Sequence, residues 1–128
     1  MVQGDWQYNA ERLRVEKHVL EIALAYKKPI LGISRGTQFL TVSLGGTLAK
    51  TGRHNKDHIV YYKDTTKTVC SRHSEHLETI PPGVTVLARD PQGYCESWKL
   101  DNIACVLWHP ERMADHWMPE EVLTVTNL

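Results

Sequence analysis

The sequence has no excess of charge of either sign: 15 lysines and arginines balance 15 aspartates and glutamates among its 128 residues. This balance gives no electrostatic reason to bind nucleic acid or an anionic membrane. The chain also lacks an apolar run of the roughly 18–20 residues that span a bilayer, and no signal-peptide pattern opens it. We therefore expect a cytoplasmic protein that interacts with neither nucleic acid nor membranes.

Cysteine is scarce as well. Cys70, Cys95 and Cys105 are an odd number of cysteines and lack the spacing of metal ligands. We interpret them as reduced thiols that behave as small apolar side chains. The chain length favours one domain, residues 1–128, with a single core.

The histidines give no clear metal motif. His54 and His58 are four residues apart, a spacing that metal ligands on a helix can have. Asn55 and Asp57 disfavour a helix there, and no third ligand lies at a telling distance along the sequence. The sequence therefore predicts no metal site, and nothing in it requires an organic cofactor.

The pattern of apolar residues predicts an α/β domain. The predicted elements are, in order, a helix over 11–26, a strand over 29–33, a helix over 36–44, strands over 58–62 and 68–71 with a turn over 63–66 between them, a helical turn over 74–79, strands over 84–88, 94–98 and 103–108, and a short helix from Pro119. We expect a small, mostly parallel sheet flanked by helices.

The start of the chain predicts an incomplete sheet. Only ten residues precede the first predicted helix, whereas a parallel α/β sheet normally has strands on both sides of its first βα unit. Because unpaired strand edges invite pairing, we expect a homo-oligomer or a partner chain that covers the open edge.

A nucleophile-elbow pattern follows the first predicted strand. Gly32, Ser34 and Gly36 form Gly-x-Ser-x-Gly between an apolar strand and a helix. In such an elbow the glycines allow a sharp turn that exposes the middle side chain, and the helix directs its amide groups at that side chain. Taken alone, the pattern is a weak signal of catalysis.

A histidine and an acid follow the last predicted strand. His109 lies where open α/β folds place their sites, Pro110 fixes the local backbone, and Glu111 can reach back to orient the imidazole. Together with the elbow, this order of nucleophile, histidine and acid indicates a catalytic triad.

These motifs resemble the class I glutamine amidotransferases. The similar segments are residues 32–38, 44–48 and 108–111, with further likeness at His54, His58, 71–73 and 111–113. The nearest branch is the γ-glutamyl hydrolases of the peptidase C26 group, which includes γ-glutamyl-γ-aminobutyrate hydrolase and γ-glutamyl-CDP-amidate hydrolase. The resemblance runs from about residue 11 to 125. It implies a flavodoxin-like sandwich that lacks its first strands, with Gly4 and Asp5 as at most the end of the missing portion.

The resemblance also implies roles for individual residues. The family's cysteine nucleophile falls on Ser34, its general base on His109 and its orienting acid on Glu111, while the amide of Arg35 supplies an oxyanion donor. The positions expected to bind substrate are Gln38, Ser71, Arg72 and His73. The implied reaction is hydrolysis of the C–N bond of a small γ-glutamyl amide through a γ-glutamyl acyl-enzyme, without a metal or other cofactor.

Ser34 leaves three interpretations open. The serine is an engineered change that silences the enzyme, or a natural feature of an inactive relative that serves binding or assembly, or the nucleophile of a working serine amidase. A serine hydroxyl is far less acidic than a thiol, and a site shaped for sulfur would hold the smaller oxygen out of line. The missing N-terminal loop, which would supply the second oxyanion donor, adds to the expected loss of rate.

Overall fold

In the computed structural model, residues 10–52 and 54–127 are described; Gly4 and Asp5 lie outside them. Over this part the elements are α1 (Ala10–Ala25), β1 (Ile30–Ile33), α2 (Arg35–Ser43), β2 (Thr47–Lys50), β3 (His58–Tyr62), β4 (Thr65–Val69), β5 (Glu75–Thr79), β6 (Thr85–Arg89), β7 (Cys95–Leu100), β8 (Ile103–Val106), a 3₁₀ turn (Pro110–Arg112) and α3 (Glu120–Thr126). No helix within these ranges is long and apolar enough to cross a membrane.

The main sheet has six strands in the order β1-β8-β7-β6-β3-β4, and β2 pairs with β5 in a separate two-stranded sheet. Only β1 and β8 pair in parallel among the described strands; β3, β4, β6, β7 and β8 are joined by antiparallel pairs. The expectation of a mostly parallel sheet is therefore wrong for this part of the chain. Short loops join β3 to β4, β6 to β7 and β7 to β8, and a short connection between neighbouring strands produces an antiparallel pair.

The core lies on both faces of β8. Ile103 and Cys105 pack with α2 and Trp98 on one face, whereas Ala104 and Val106 pack with α3 on the other. Alternate residues of a strand point to opposite faces, so a strand that is covered on both sides must be apolar throughout. This is why the sequence of β8 has no polar position.

The cysteines are free thiols, as predicted. Cys95 and Cys105 are buried, and Cys70 is half-buried. Burial raises the pKa of Cys95 to about 12 and raises that of Cys105 well above its ordinary value. Both buried thiols are therefore protonated at neutral pH and act as packing groups.

Several segments differ from the predictions, among them residues 47–50, which form the unpredicted strand β2. Within the predicted helical turn over 74–79, Glu75–Thr79 form the strand β5 instead, because Leu77 pairs with Leu48 of β2 and both side chains are buried. The predicted turn over 63–66 and strand over 68–71 are also wrong in their bounds: β4 begins at Thr65, and only Lys63 and Asp64 separate it from β3. Lys63 adopts a φ of 51°, which lets two residues close this hairpin.

Helix α1 leaves much of its apolar surface uncovered. Leu13 and Leu20 pack against the core, but Val15, Val19 and Ile22 are exposed. An apolar groove of about 380 Å³ runs between α1, β1 and α2. The helix forms as predicted, but the other described residues cover only part of its apolar side.

Gly46, which follows α2, offers a direct test of this packing. A Cβ atom at Gly46 would lie 2.6 Å from both Thr41 Cγ2 and the carbonyl oxygen of Thr79, whereas one at Gly36 would meet nothing within 4 Å. We expect Gly46→Ala to lower the free energy of unfolding by about 1–3 kcal/mol. Gly36→Ala, the matched control, should be neutral or stabilise α2 by up to about 1 kcal/mol. Denaturant unfolding measures both, and an unaffected Gly46→Ala protein would contradict the packing described.

Candidate active site

Ser34 lies in a strained turn between β1 and α2. Its backbone has φ 52° and ψ −107°, in the region that residues other than glycine rarely adopt. Such a conformation costs about 1–3 kcal/mol and is concentrated at functional sites. It is also the backbone shape that a strand-to-helix elbow requires to expose its central side chain.

Hydrogen bonds fix the backbone of Ser34, but the Ser34 hydroxyl does not cap α2. The Ser34 amide donates to Val106 O at 3.0 Å, and the Gln38 amide donates to Ser34 O at 3.1 Å. The Ser34 side chain makes no capping hydrogen bond to α2. Because the first amides of a helix have no partner within it, those after Ser34 can stabilise negative charge near its hydroxyl.

His109 and Glu111 form a pair just beyond β8. Glu111 Oε2 lies 2.8 Å from His109 Nδ1. Desolvation alone would raise the pKa of Glu111, but the hydrogen bond from His109 lowers it below its ordinary value. When Nδ1–H donates a hydrogen bond to the carboxylate, Nε2 is the basic nitrogen. This is the tautomer that a general base needs.

The fold brings these two motifs to one edge of the sheet. Ile33 pairs with Val106 in the parallel ladder, so Ser34 and the residues after β8 leave the sheet side by side. The His109 amide donates to Cys70 O at 2.8 Å, which ties the histidine to the loop that carries Ser71 to His73. Direct contact between Ser34 Oγ and His109 Nε2 stays a prediction.

An open cleft of about 380 Å³ adjoins Ser34. Five of the predicted site residues line it, namely Ser34, Arg35, Gln38, Arg72 and His73. The predicted His109, Glu111 and Ser71 are not among its lining residues. A larger cavity, about 800 Å³ and lined largely by α1, α2 and β2, contains none of the predicted site residues. The smaller cleft is the candidate site because Ser34 of the strained elbow lines it.

The predicted substrate-binding residues differ in how freely they can reach a ligand. Gln38 is buried and its Nε2 donates to Glu75 O at 3.3 Å, while Arg72 is exposed and bonds Asp57 at 2.9 Å. Ser71 is fully buried, and its hydroxyl has no hydrogen-bond partner among the described residues. Burial, with His54 nearby, lowers the pKa of His73 to about 3, so its ring is neutral at physiological pH.

A buried polar cluster, which borders a cavity other than the Ser34 cleft, was missed at the sequence level. His54 Nε2 lies 2.7 Å from Asp90 Oδ2, and His58 Nε2 lies 2.6 Å from Glu96 Oε2. Burial alone would lower the pKa of His58, but the Glu96 carboxylate raises it above its ordinary value. One signal was available: Glu96 is the one charged residue of the predicted strand over 94–98. We name His54, His58, Asp90 and Glu96 the histidine–carboxylate cluster.

The comparison with protein families agrees with this geometry. The model of the family described as Peptidase C26 matches residues 2–67, more than half of the 128-residue chain. The chain belongs to the peptidase C26 family. The match includes the elbow at Ser34, and the His109–Glu111 pair lies beyond it.

Curated relatives extend the similarity past residue 67. A γ-glutamyl-CDP-amidate hydrolase of Campylobacter jejuni is 29% identical over 99 residues, covering 76% of this chain and 50% of the relative. A glutamine-hydrolysing GMP synthase of Pyrobaculum aerophilum is 29% identical over 128 aligned residues, covering 78% of this chain and 25% of the relative. The chain thus spans half or less of these two relatives.

Solved structures show the same fold. A GMP synthase subunit from Thermoplasma acidophilum superposes with a TM-score of 0.70 at 18% identity, over 95% of this chain and 64% of that one. A glutamine amidotransferase of Thermotoga maritima also gives 0.70, at 19% identity, over 85% of this chain and 53% of that one. The α/β class and the class I glutamine amidotransferase fold are as predicted.

Proposed function

We propose that this chain carries the site of a γ-glutamyl amide hydrolase, with Ser34 at the nucleophile position. The observation that carries the proposal is the strained backbone of Ser34, at φ 52° and ψ −107°, beside a strand that leads to His109 paired with Glu111. The similarity to a γ-glutamyl-CDP-amidate hydrolase supports the substrate class.

In the proposed reaction, Ser34 Oγ attacks the γ-carbonyl carbon of the glutamyl amide. His109 Nε2 takes the hydroxyl proton and gives it to the leaving amine nitrogen as the C–N bond breaks. The Arg35 amide, at the start of α2, stabilises the oxyanion that forms. Water, activated by His109, then hydrolyses the glutamyl ester, which releases glutamate and restores Ser34.

A second candidate is a module that binds the γ-glutamyl group without turnover. The observation that favours it is the serine itself, because a hydroxyl in place of a thiol weakens the nucleophile and leaves the cleft intact. Gln38, Arg72 and His73 would still contact a ligand in that cleft.

The unaltered chain distinguishes these two functions. Glutamate release is measured from L-glutamine and from several γ-glutamyl amides, with Ser34→Ala as the matched control. Release that Ser34→Ala abolishes supports the hydrolase. Binding of L-glutamine without release, detected by calorimetry and weakened by Gln38→Ala, supports the module. If neither release nor binding occurs, both proposals fail.

We also propose that a second copy or a partner chain covers the apolar face of α1 and the outer edge of β1. Val15 and Val19 are 57% and 59% exposed, and β1 is the outermost strand of its sheet among the described strands. We expect light scattering to give a mass above the 14.7 kDa of one chain, or to do so once the partner is added. Val19→Lys should reduce that association. A lone monomer that the variant does not alter, with or without candidate partners, would contradict the proposal.

A further inference from the structure

The histidine–carboxylate cluster is an unusual concentration of charge in the interior. Asp90 and Glu96 are 2% and 0% exposed, and the His54 side chain is 1% exposed. His54 Nε2 lies 2.7 Å from Asp90 Oδ2 and 3.3 Å from Glu96 Oε2, while His58 Nε2 lies 2.6 Å from the same Glu96 oxygen. Buried charges of this kind need compensation by partners or by a metal ion.

The two imidazoles are poorly arranged to supply that compensation as cations. The rings of His54 and His58 are stacked, with centroids 4.7 Å apart and planes 12° apart. If imidazolium ions were to balance both carboxylates, both stacked rings would have to be positively charged. A single divalent cation would balance the same two carboxylates with both rings neutral.

The outer contacts orient His58 and Asp90 in the way that metal sites are oriented, whereas His54 Nδ1 is buried without a hydrogen-bond partner among the described residues. His58 Nδ1 lies 3.1 Å from Lys56 O, and a carbonyl can only accept, so Nδ1 carries a proton. A neutral His58 therefore presents its Nε2 lone pair to the Glu96 oxygen, an arrangement that a cation between them would make favourable. Asp90 is held likewise: its Oδ1 accepts from the amides of Gln92 and Tyr94, which leaves Oδ2 for the cluster.

The spacing of the ligand atoms also suits a small divalent ion. One ligand atom from each of His54, His58 and Glu96 lies within 4.8 Å of the others. Ligands at 2.0–2.2 Å around tetrahedral zinc lie about 3.3–3.6 Å apart. The separation of 3.3 Å between His54 Nε2 and Glu96 Oε2 fits this spacing, and the 2.6 Å contact of His58 would have to open slightly. Glu96 Oε1 is buried without a hydrogen-bond partner among the described residues, so the carboxylate can still turn.

We propose that His54, His58 and Glu96 bind a divalent metal ion of the zinc class, with Asp90 as an adjacent balancing carboxylate. The third ligand comes from β7, 38 residues beyond His58, which is why no spacing in the sequence indicates the site. The ion would have a structural role. It would join His54, which precedes β3, to β7 of the main sheet. The His73 amide donates to His54 O at 3.4 Å, so the loop that borders the candidate active site would be held as well.

The test uses the whole chain, freed of metal by a chelator and then titrated with Zn²⁺ alone. Cys70→Ser serves as the background, since Cys70 is the half-buried thiol and could bind zinc by itself. We expect about one equivalent of zinc per chain by elemental analysis after dialysis, and a rise in Tm of about 5 °C or more. Co²⁺ in place of Zn²⁺ should give the visible absorption of a tetrahedral nitrogen–oxygen site.

Two ligand variants and one control keep the test decisive. Glu96→Gln and His58→Asn should each weaken zinc binding at least about tenfold and remove most of the rise in Tm. His116→Asn changes an exposed histidine outside the cluster and should leave both unchanged. Because Glu96 is fully buried, the Glu96→Gln protein can fail to fold. In that case zinc binding by the His58→Asn protein, at the half-buried His58, and the cobalt spectrum of the Cys70→Ser protein decide whether the site exists. Binding of less than about 0.1 equivalent, or equal binding by His58→Asn, would overturn the site and favour a metal-free ion-pair network.

Discussion

Replacing Ser34 by cysteine is expected to raise the rate of glutamate release from a γ-glutamyl amide by about 10²-fold or more. A thiol with a pKa near 8.5 is readily ionised beside a histidine, whereas a serine hydroxyl must lose its proton during the attack. The start of the nine-residue helix α2 adds a positive electrostatic potential that favours the thiolate and the oxyanion.

Initial rates with L-glutamine and a panel of γ-glutamyl amides measure this change. Ser34→Ala is the matched control, because it keeps the elbow but has no nucleophile. An equally silent Ser34→Cys protein with an unchanged Tm would contradict the hydrolase proposal for the chain by itself. It would favour the binding module, provided that L-glutamine still binds.

Changing His109 to asparagine in the Ser34→Cys protein is expected to lower kcat/KM by about 10²–10⁴-fold. The neutral imidazole takes the thiol proton and then protonates the leaving amine, and an asparagine amide can do neither. Glu111→Gln should have a smaller effect, because Glu111 orients His109 across the 2.8 Å contact and its side chain is 55% exposed.

The histidine variant is compared with His116→Asn, which alters a histidine outside the cleft. Thermal unfolding of each variant separates loss of activity from loss of fold. If His109→Asn retains the activity of the Ser34→Cys protein, His109 is not the base, and the proximity of β1 and β8 has no catalytic meaning.

Local patterns were sufficient to predict the elements that position the elbow. The strand predicted over 29–33 is observed as Ile30–Ile33, and the helix predicted over 36–44 is observed as Arg35–Ser43. These features depend on residues close together in sequence, so their physics is visible in a short window.

Pairing between distant segments was harder to predict. The prediction of a mostly parallel sheet was wrong because the direction of a strand depends on the connection that leads to it. No single strand encodes that connection. Residues 74–79 were assigned to a helical turn because their alternation is short, and the partner that makes them a strand, β2, lies nearly 30 residues away and was itself missed.

The same contrast between local motifs and distant pairing applies to the residues of the candidate site and of the histidine–carboxylate cluster. Ser34, His109 and Glu111 were predicted from local motifs and the family resemblance, and the structure places His109 Nδ1 2.8 Å from Glu111 Oε2, while their catalytic roles stay predictions. Asp90 and Glu96 were missed because each is a single acid in its own segment. Only the pairing of β3 with β6, and of β6 with β7, brings them to His54 and His58. Ser71 was predicted to bind substrate, but its side chain is buried and it is not among the residues that line the cleft.

The most direct measurement is the mass of residue 34 during turnover. The Ser34→Cys protein is mixed with a γ-glutamyl amide, quenched in acid and digested, and the peptide that contains residue 34 is analysed by mass spectrometry. We expect a γ-glutamyl thioester on that residue, absent from Ser34→Ala and accumulating when Glu111→Gln slows its hydrolysis. Glutamate release without any adduct at residue 34, or an adduct on Cys70 instead, would contradict the assignment of Ser34 to the nucleophile position.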